Sequence, residues 1–189
     1  MAQFIDDQTF ENEDFSNQEI EAKEYNGCSF LNCNFVDANI SGISFEECRF
    51  EDCDFSNIRL DETAFRQVEL INCKMLGVHF NECNSFRLSI SFENSQLSFA
   101  SFFQLDLRDS VFDTCTIEEA DFTESNLEKV LFENCKLDRS VFEYCNLQGT
   151  NFKTSQGFSI DPDLNKMKGA KFSSPGLKGL LEKYKLEID

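Results

Sequence analysis

Nine cysteines are the residues of this chain that could most directly perform chemistry, because thiolates bind zinc and iron-sulfur clusters. Two pairs, Cys28/Cys33 and Cys48/Cys53, have the spacing C-x4-C. The only histidine, His79, is out of phase with these pairs, so a mixed metal site lacks its second ligand type. Disulfides are disfavoured because nine is an odd number and the chain begins without the apolar run of a signal peptide.

Paired acids are the other candidates for chemistry. Glu46/Glu47 and Glu118/Glu119 could in principle share a proton. Both pairs fall at turn positions of the repeat described below, where carboxylates are solvated. The sequence also lacks a glycine-rich phosphate loop, a nucleophile elbow and a histidine constellation. We therefore predict a protein that is not an enzyme and that uses no metal and no cofactor.

Large apolar residues recur at every fifth position, and we call these positions centres. The 28 positions are all apolar, although only 41% of the chain is. The first series has 15 members: Phe10, Phe15, Ile20, Tyr25, Phe30, Phe35, Ile40, Phe45, Phe50, Phe55, Leu60, Phe65, Leu70, Met75 and Phe80. After a slip of two residues the second series has 13: Phe92, Leu97, Phe102, Leu107, Phe112, Ile117, Phe122, Leu127, Phe132, Leu137, Phe142, Leu147 and Phe152.

Eight of the nine cysteines lie two residues before a centre, and Cys83 has the same phase because it lies two before position 85; Ala, Ser and Thr also recur at this position. Residues two apart in an extended chain point to the same side, so a centre and the residue two before it both face inward. The residue between them faces outward, and the two remaining residues, often Asn, Asp, Glu or Gly, turn a corner. Cysteine is therefore predicted to be a small buried residue rather than a ligand.

The number of sides follows from the second series, in which Phe alternates with Leu or Ile. Uniform stacks of one residue type require an even number of sides, and two sides would leave no interior. Four sides are the smallest solution, with 20 residues in each coil. We predict an all-β solenoid, a quadrilateral β-helix of about seven coils.

Two segments depart from the regular pattern before residue 155. In residues 1–24 the inward positions are occupied by Gln8, Glu13, Gln18 and Lys23, which a dry interior would reject. We predict an irregular acidic N-terminal coil or cap there, and regular coils over 25–155. The slip within 83–91 adds two residues, so a bulge with Phe86 and Arg87 as candidate protruding groups is expected.

Residues 156–189 are predicted to form a loop, a short amphipathic α-helix and a final extended segment. Ser174 is a plausible N-cap and Pro175 suits the first helical position. Four apolar residues follow at spacings of three and four: Leu177, Leu180, Leu181 and Tyr184. The segment has a net charge of +1, against −19 for the rest of the chain. It is therefore suited to covering the open end of the solenoid and to forming a dimer contact.

The net charge of −18 excludes two classes of direct partner, nucleic acid and anionic membrane, because both would repel the protein. No apolar stretch approaches the roughly 20 residues of a membrane span. A cytoplasmic protein with a basic partner is predicted.

The runs "CNFVDANISG", "ADFTESNLEKVLFENCKL" and "CNLQGTNFKT" resemble pentapeptide repeat proteins over residues 10–155. The resemblance implies that the β-helix is right-handed. The C-terminal helix is similar to that of the topoisomerase-protecting branch, which includes the Qnr quinolone-resistance proteins and the microcin B17 immunity protein. Residues 157–162 and 176–178 also resemble the latter, whereas the long loops of many Qnr proteins are missing.

This resemblance implies a homodimer through the C-terminal helix and an acidic rod that binds DNA gyrase or topoisomerase IV in place of DNA. Charge density points the same way. Residues 10–155 carry a net charge of −17 over a rod of roughly 35 Å, or one charge per roughly 2 Å, against about 1.7 Å for duplex DNA. The predicted binding residues are a column, Glu93, Asp113 and Glu133, and a group at the next corner, Glu118, Glu119 and Asp138. The alternative is a scaffold or interaction module with an unknown basic partner.

Overall fold

A computed structural model describes residues 3–16, 18, 20 and 22–187 of the chain as a parallel β-solenoid with one short α-helix near its C-terminal end. The strands are β1 (Gln3–Asp6), β2 (Thr9–Glu11), β3 (Ala22–Asn26), β4 (Ser29–Leu31), β5 (Ser44–Glu46), β6 (Arg49–Glu51), β7 (Ala64–Arg66), β8 (Val68–Ile71), β9 (Ile90–Glu93), β10 (Val111–Asp113) and β11 (Leu131–Glu133). The α-helix α1 spans Lys178–Leu181, and 3-10 turns span Phe80–Glu82, Pro175–Leu177 and Glu182–Tyr184.

Each coil has four faces, because a residue pairs with the one 20 positions further along the chain, as Phe30 pairs with Phe50. We name the faces by their centres. Face A has Phe10, Phe30, Phe50, Leu70, Phe92, Phe112, Phe132 and Phe152. Face B has Phe15, Phe35, Phe55, Met75, Leu97, Ile117 and Leu137. Face C has Ile20, Ile40, Leu60, Phe80, Phe102, Phe122 and Phe142. Face D has Tyr25, Phe45, Phe65, Leu107, Leu127 and Leu147.

Two faces carry regular sheets. On face A, seven parallel strands, β2, β4, β6, β8, β9, β10 and β11, cover six turns, and a bridge from Leu131 to Asn151 continues the stack. On face D, β1, β3, β5 and β7 form a four-stranded sheet. Faces B and C are joined by isolated bridges such as Asn34 to Asp54 and Asp121 to Val141. The quadrilateral solenoid inferred from the five-residue period is confirmed.

The centres form the core. Of the 28 centres, 26 are buried, and only Phe10 and Phe15, in the first coil, are half-buried. Rings on one face stack along the axis, as in Phe122 and Phe142, whose centroids are 4.9 Å apart at an interplanar angle of 4°. Rings on faces A and C meet edge to face, as Phe112 and Phe122 do at 6.0 Å and 82°. The ring contacts fall into two groups, up to Phe65 and from Phe80 onward, and the aliphatic centres Leu70 and Met75 separate them.

The small inward residues add a repeated hydrogen bond. Their side chains donate to the carbonyl oxygen of the centre 23 residues earlier, in the preceding coil. Thr63 donates to Ile40 at 2.8 Å, and the Cys53 thiol reaches Phe30 at 3.4 Å. Because hydroxyls and thiols can make the same bond, Ser, Thr and Cys share this position. All nine cysteines are buried free thiols.

Corners use the left-handed backbone region at the second residue after a centre. Asn32 and Asn57 have φ values of 52° and 58° there. Asn and Gly tolerate this conformation best and recur at this position, together with Asp, Glu and other polar residues.

At the slip, the pairing register changes from 20 to 22 residues. Ala64 still pairs with Asn84, whereas Val68 pairs with Ile90. The extra residues form a turn in which Phe86 is 70% exposed and Leu88 points inward. This turn interrupts face D, so the sheet on that face ends at β7.

The N-terminal coil is built on the same plan but is open to solvent. Ile5 pairs with Tyr25 and extends the series of centres by one repeat. The polar residues at the inward positions, Gln8, Glu13, Gln18 and Lys23, are all exposed. Residues 1, 2, 17, 19 and 21 of the predicted N-terminal segment lie outside the described residues.

The C-terminal segment packs on the last coil through Gly176 and Gly179, which the apolar spacing of the sequence did not indicate. A Cβ atom at Gly179 would lie 2.2 Å from the carbonyl oxygen of Phe158, and one at Gly176 would lie 2.9 Å from its ring. The helix therefore approaches the buried Phe158 so closely that only glycine fits. Ile160 donates to the carbonyl of Gly179 at 3.0 Å, which joins the loop to the helix.

One expectation for this segment needs correction. Ser174 makes no side-chain cap hydrogen bond, and Ser173 instead accepts the amide hydrogen of Gly176 through its hydroxyl at 3.2 Å. Of the four apolar residues predicted to be shared between the cap and the dimer contact, Leu180 packs against the core, whereas Leu177, Leu181 and Tyr184 are exposed and stay candidates for the dimer contact. Residues 188 and 189 of the expected final segment lie outside the described residues. No helix among the described residues is long and apolar enough to cross a membrane.

Candidate acidic binding surface

Three acidic residues form a column on face A, and we call it the acidic ladder. Glu93, Asp113 and Glu133 follow the centres of β9, β10 and β11 and are direct register partners. Parallel strands hold them about 4.8 Å apart along the axis. Glu93 is exposed and the other two are half-buried. The sequence-predicted column is thus a physical row of carboxylates.

The ladder carries uncompensated charge. Among the described residues, no ion pair involves Glu93, Asp113 or Glu133. The same column nearer the N-terminus is different, because Ile71 and Leu31 interrupt it. Negative charge is therefore continuous only over β9 to β11.

Arginine also neutralises part of face A on the N-terminal side of the slip. Arg49 contacts Glu51 at 2.9 Å and Glu69 at 3.1 Å. Hydrogen bonds to these carboxylates raise the pKa of Arg49. Glu11 and Glu51 belong to the same column, and their 40-residue separation, which is two turns of a four-sided coil, was a sufficient signal in the sequence.

The second predicted group, Glu118, Glu119 and Asp138, is not part of the ladder. It lies at the far edge of face B, five residues beyond Asp113, and the bridged pair Thr116 and Lys136 stands between the two groups. The Glu119 amide donates to the Asp138 carbonyl at 2.9 Å, so these residues occupy adjacent coils.

Only part of this second group is free to bind a cation. Glu119 forms an ion pair with Arg139 at 2.6 Å, and the hydrogen bond raises the pKa of Arg139. The Asp138 carboxylate lies against Gly157, where an added Cβ atom would be 2.4 Å away. The group is therefore a partly neutralised neighbour of the ladder.

Face D differs in charge from the ladder. It carries Arg66, Arg87, Arg108 and Lys129 along successive coils. Arg108 contacts Asp106 at 2.6 Å. The rod is consequently not uniformly acidic, and an oriented partner would meet the ladder and face D as different surfaces.

The geometry suits contact with another macromolecule. Stacked rings fill the interior, and the residues between centres present rows of side chains outward. A cleft of about 700 Å³ lies between residues 153–158 and the C-terminal helix. Its lining includes Lys153, Lys178 and Glu182, without a histidine or cysteine. The ladder can supply a linear array of negative charge to a basic groove.

The comparisons with known proteins concern the repeat and the fold. The family model described as "Pentapeptide repeat region" matches residues 23–90 and 88–157. No curated protein matches the sequence. A trypsin-treated variant of QnrB1, a plasmid-mediated fluoroquinolone resistance protein, is similar in structure, with a TM-score of 0.55, 17% identity and coverage of 100% of both chains.

A second solved structure is similar to a comparable degree. It is HetL, a pentapeptide repeat protein involved in heterocyst differentiation regulation from the cyanobacterium Nostoc sp. Strain PCC 7120. The TM-score is 0.51 at 12% identity, and the match covers 89% of this chain and 86% of that one. At these identities the likeness shows the fold alone. Because the repeat model spans most of the sequence and the solenoid has the five-residue period throughout, the chain belongs to the pentapeptide repeat family.

Proposed function

We propose that this protein binds DNA gyrase or topoisomerase IV through its acidic rod in place of DNA, and thereby protects the enzyme from quinolones or from a gyrase-directed toxin. The observation that carries the proposal is the acidic ladder, in which Glu93, Asp113 and Glu133 are in register and unpaired. The likeness of the fold to a fluoroquinolone resistance protein supports the choice of target.

Electrostatics explain how such a rod would compete with DNA. A topoisomerase holds DNA in a basic groove, and a rod with nearly the linear charge density of duplex DNA displaces the same counterions. Binding is therefore expected to weaken as the salt concentration rises, because the release of counterions then contributes less free energy to binding. Apolar Val111 and half-buried Leu131, in the adjacent row of face A, add a contact that salt does not weaken.

The state of the protein in the cell is part of the same proposal. We place it in the cytoplasm, where its target acts, as a homodimer joined by the C-terminal helices. The exposed side chains of Leu177, Leu181 and Tyr184 support this contact. Two rods joined end to end would present ladders on both sides of a two-fold axis, which matches the two-fold symmetry of a topoisomerase.

Charge reversal tests the proposal. The triple variant Glu93→Lys, Asp113→Lys, Glu133→Lys should fold normally, because these side chains face outward, and should no longer displace DNA from purified gyrase. A matched control reverses three exposed acids on face D, Glu24, Glu47 and Asp109, and should retain most of the competition. Competition would be measured by fluorescence anisotropy of labelled DNA at two salt concentrations.

Two results would reject the proposal. If the wild-type protein displaces no DNA from gyrase or from topoisomerase IV, the chain is an interaction module for another basic partner. If the ladder variant competes as well as the face D control, binding depends on net charge and the ladder has no special part in it.

A further inference from the structure

Two aromatic side chains stand at opposite corners of face C, at positions that elsewhere hold small or polar residues. Phe99 and Tyr144 are both the second residue after a centre and have left-handed φ values of 64° and 58°. Their side chains are 59% and 61% exposed. The neighbouring residues in these two corner columns are Gly77, Glu119 and Arg139 for Phe99, and Gln104 and Glu124 for Tyr144.

Further apolar groups lie between the two rings. Phe103 is half-buried on the same coil as Phe99, and Val141 is 40% exposed on the same coil as Tyr144. Ser101, Asp121 and Val141 are consecutive bridge partners, which fixes the alignment of these coils. Phe99 and Tyr144 are two coils apart, or about 10 Å along the axis. A single helix or strand of a partner could therefore touch both.

Acidic residues fill the space between the rings. Asp121 accepts the amide hydrogen of Thr123 at 2.8 Å, and Glu124 accepts a hydrogen bond from the Gln104 amide at 2.7 Å. Glu143 lies one coil beyond Glu124. None of the three carboxylates takes part in an ion pair among the described residues. We call Phe99, Phe103, Asp121, Glu124, Val141, Glu143 and Tyr144 the face C patch.

The requirements of the fold do not explain these aromatic residues. A bulky residue in the left-handed region is less favourable than Asn or Gly, which the chain uses at equivalent corners. Exposed rings also leave apolar area in water, and their burial against a partner would be favourable. Aromatic residues grouped on a surface are typical anchors of protein interfaces.

We propose that the face C patch docks a cationic amphipathic segment of a partner protein. Lysine and arginine side chains of that segment would pair with Asp121, Glu124 and Glu143, and its apolar side chains would cover Phe99, Val141 and Tyr144. Nucleic acid and anionic lipid are disfavoured, because their phosphates would meet the three carboxylates. The patch lies on a different face from the acidic ladder, so the inference does not depend on the proposed topoisomerase binding.

The left-handed corners provide a sharp test. In the variant Phe99→Asn, Tyr144→Asn, both new residues favour the existing backbone, so the melting temperature should stay equal or rise. The probes are two synthetic peptides of equal length and equal positive charge, one an amphipathic lysine–leucine helix and the other oligolysine with serine spacers. The wild-type protein should bind the amphipathic peptide at least about tenfold more tightly.

The double variant should lose that tenfold preference while binding oligolysine as before. A matched control, Phe86→Asn, removes an exposed ring from face D and should keep the preference. Replacing Asp121, Glu124 and Glu143 by their amides should weaken binding of both peptides. Equal affinity of the wild-type protein for the two peptides would overturn the proposal, as would an unchanged preference in the double variant or an equal loss in the Phe86 control.

Discussion

Replacing Phe112 by Ala should destabilise the solenoid by about 4 kcal/mol. The side chain is fully buried, with parallel rings at 5.0 Å (Phe92) and 4.8 Å (Phe132) and edge contacts to Phe102 and Phe122. The substitution removes roughly 150 Å² of buried apolar area, which at about 25 cal/mol per Å² corresponds to about 4 kcal/mol. Measured Phe→Ala costs of about 3 to 5 kcal/mol agree with this value.

Urea unfolding followed by circular dichroism would measure the change. Phe112 lies in the middle of the stack, so neighbouring coils cannot collapse into the cavity without disturbing the ring ladder on both sides. Phe86→Ala is the control, because that ring is exposed and its loss should change the free energy of unfolding by about 0.5 kcal/mol or less. An unchanged midpoint for Phe112→Ala would refute the stacked core as the main source of stability.

Other predictions concern the thiols and the C-terminal helix. Cys135→Ser should change the free energy of unfolding by about 1 kcal/mol or less, because a hydroxyl can donate to the Phe112 carbonyl as the thiol does at 3.4 Å. Cys135→Leu should lower the free energy of unfolding by about 1 to 3 kcal/mol, because the larger side chain overpacks the core. Burial raises the pKa of Cys48 to about 12. The unfolded state therefore loses this proton at a lower pH than the folded state does. The free energy of unfolding should fall as pH rises from about 9 towards 12, by at most about 1.4 kcal/mol per pH unit for this thiol. Urea titrations at graded pH would measure this slope. Leu177→Glu with Leu181→Glu should yield monomers in sedimentation equilibrium, and a wild-type protein that is already monomeric at micromolar concentration would contradict the dimer.

The core was predictable because its cause is local. A side chain two residues from another in an extended segment points to the same side, whatever the rest of the chain does. The fixed spacing of the centres then determined the coil, and 26 of 28 are buried as expected. Phe10 and Phe15 are only half-buried because the first coil has a neighbour on one side alone among the described residues. End effects of this kind depend on the position of a coil in the stack, and the type of the residue does not reveal them.

The C-terminal cap was less predictable because it depends on which surface the helix meets. Apolar spacing correctly indicated a helical segment, but it did not show that Leu180 alone of its four apolar residues would pack against the core. The actual contact is made where Gly176 and Gly179 approach Phe158. A Gly-x-x-Gly spacing signals close approach only when its partner is known. The Glu119–Arg139 ion pair, by contrast, could have been read from its 20-residue separation once the coil was known.

Function could be predicted only in part, for a reason that lies in the repeat itself. Two of its five positions face inward and determine the solenoid, while the other three face outward and vary more freely, although the second corner residue must accept a left-handed φ. A shared fold therefore carries little information about partners, since sites are built from the outward residues. The unpaired ladder of Glu93, Asp113 and Glu133 and the rings of Phe99 and Tyr144 occupy such outward positions. Because their substitution leaves the core intact, loss of binding in those variants can be attributed to the surface. Substitution of outward residues is therefore the experiment that best separates binding from folding in this protein.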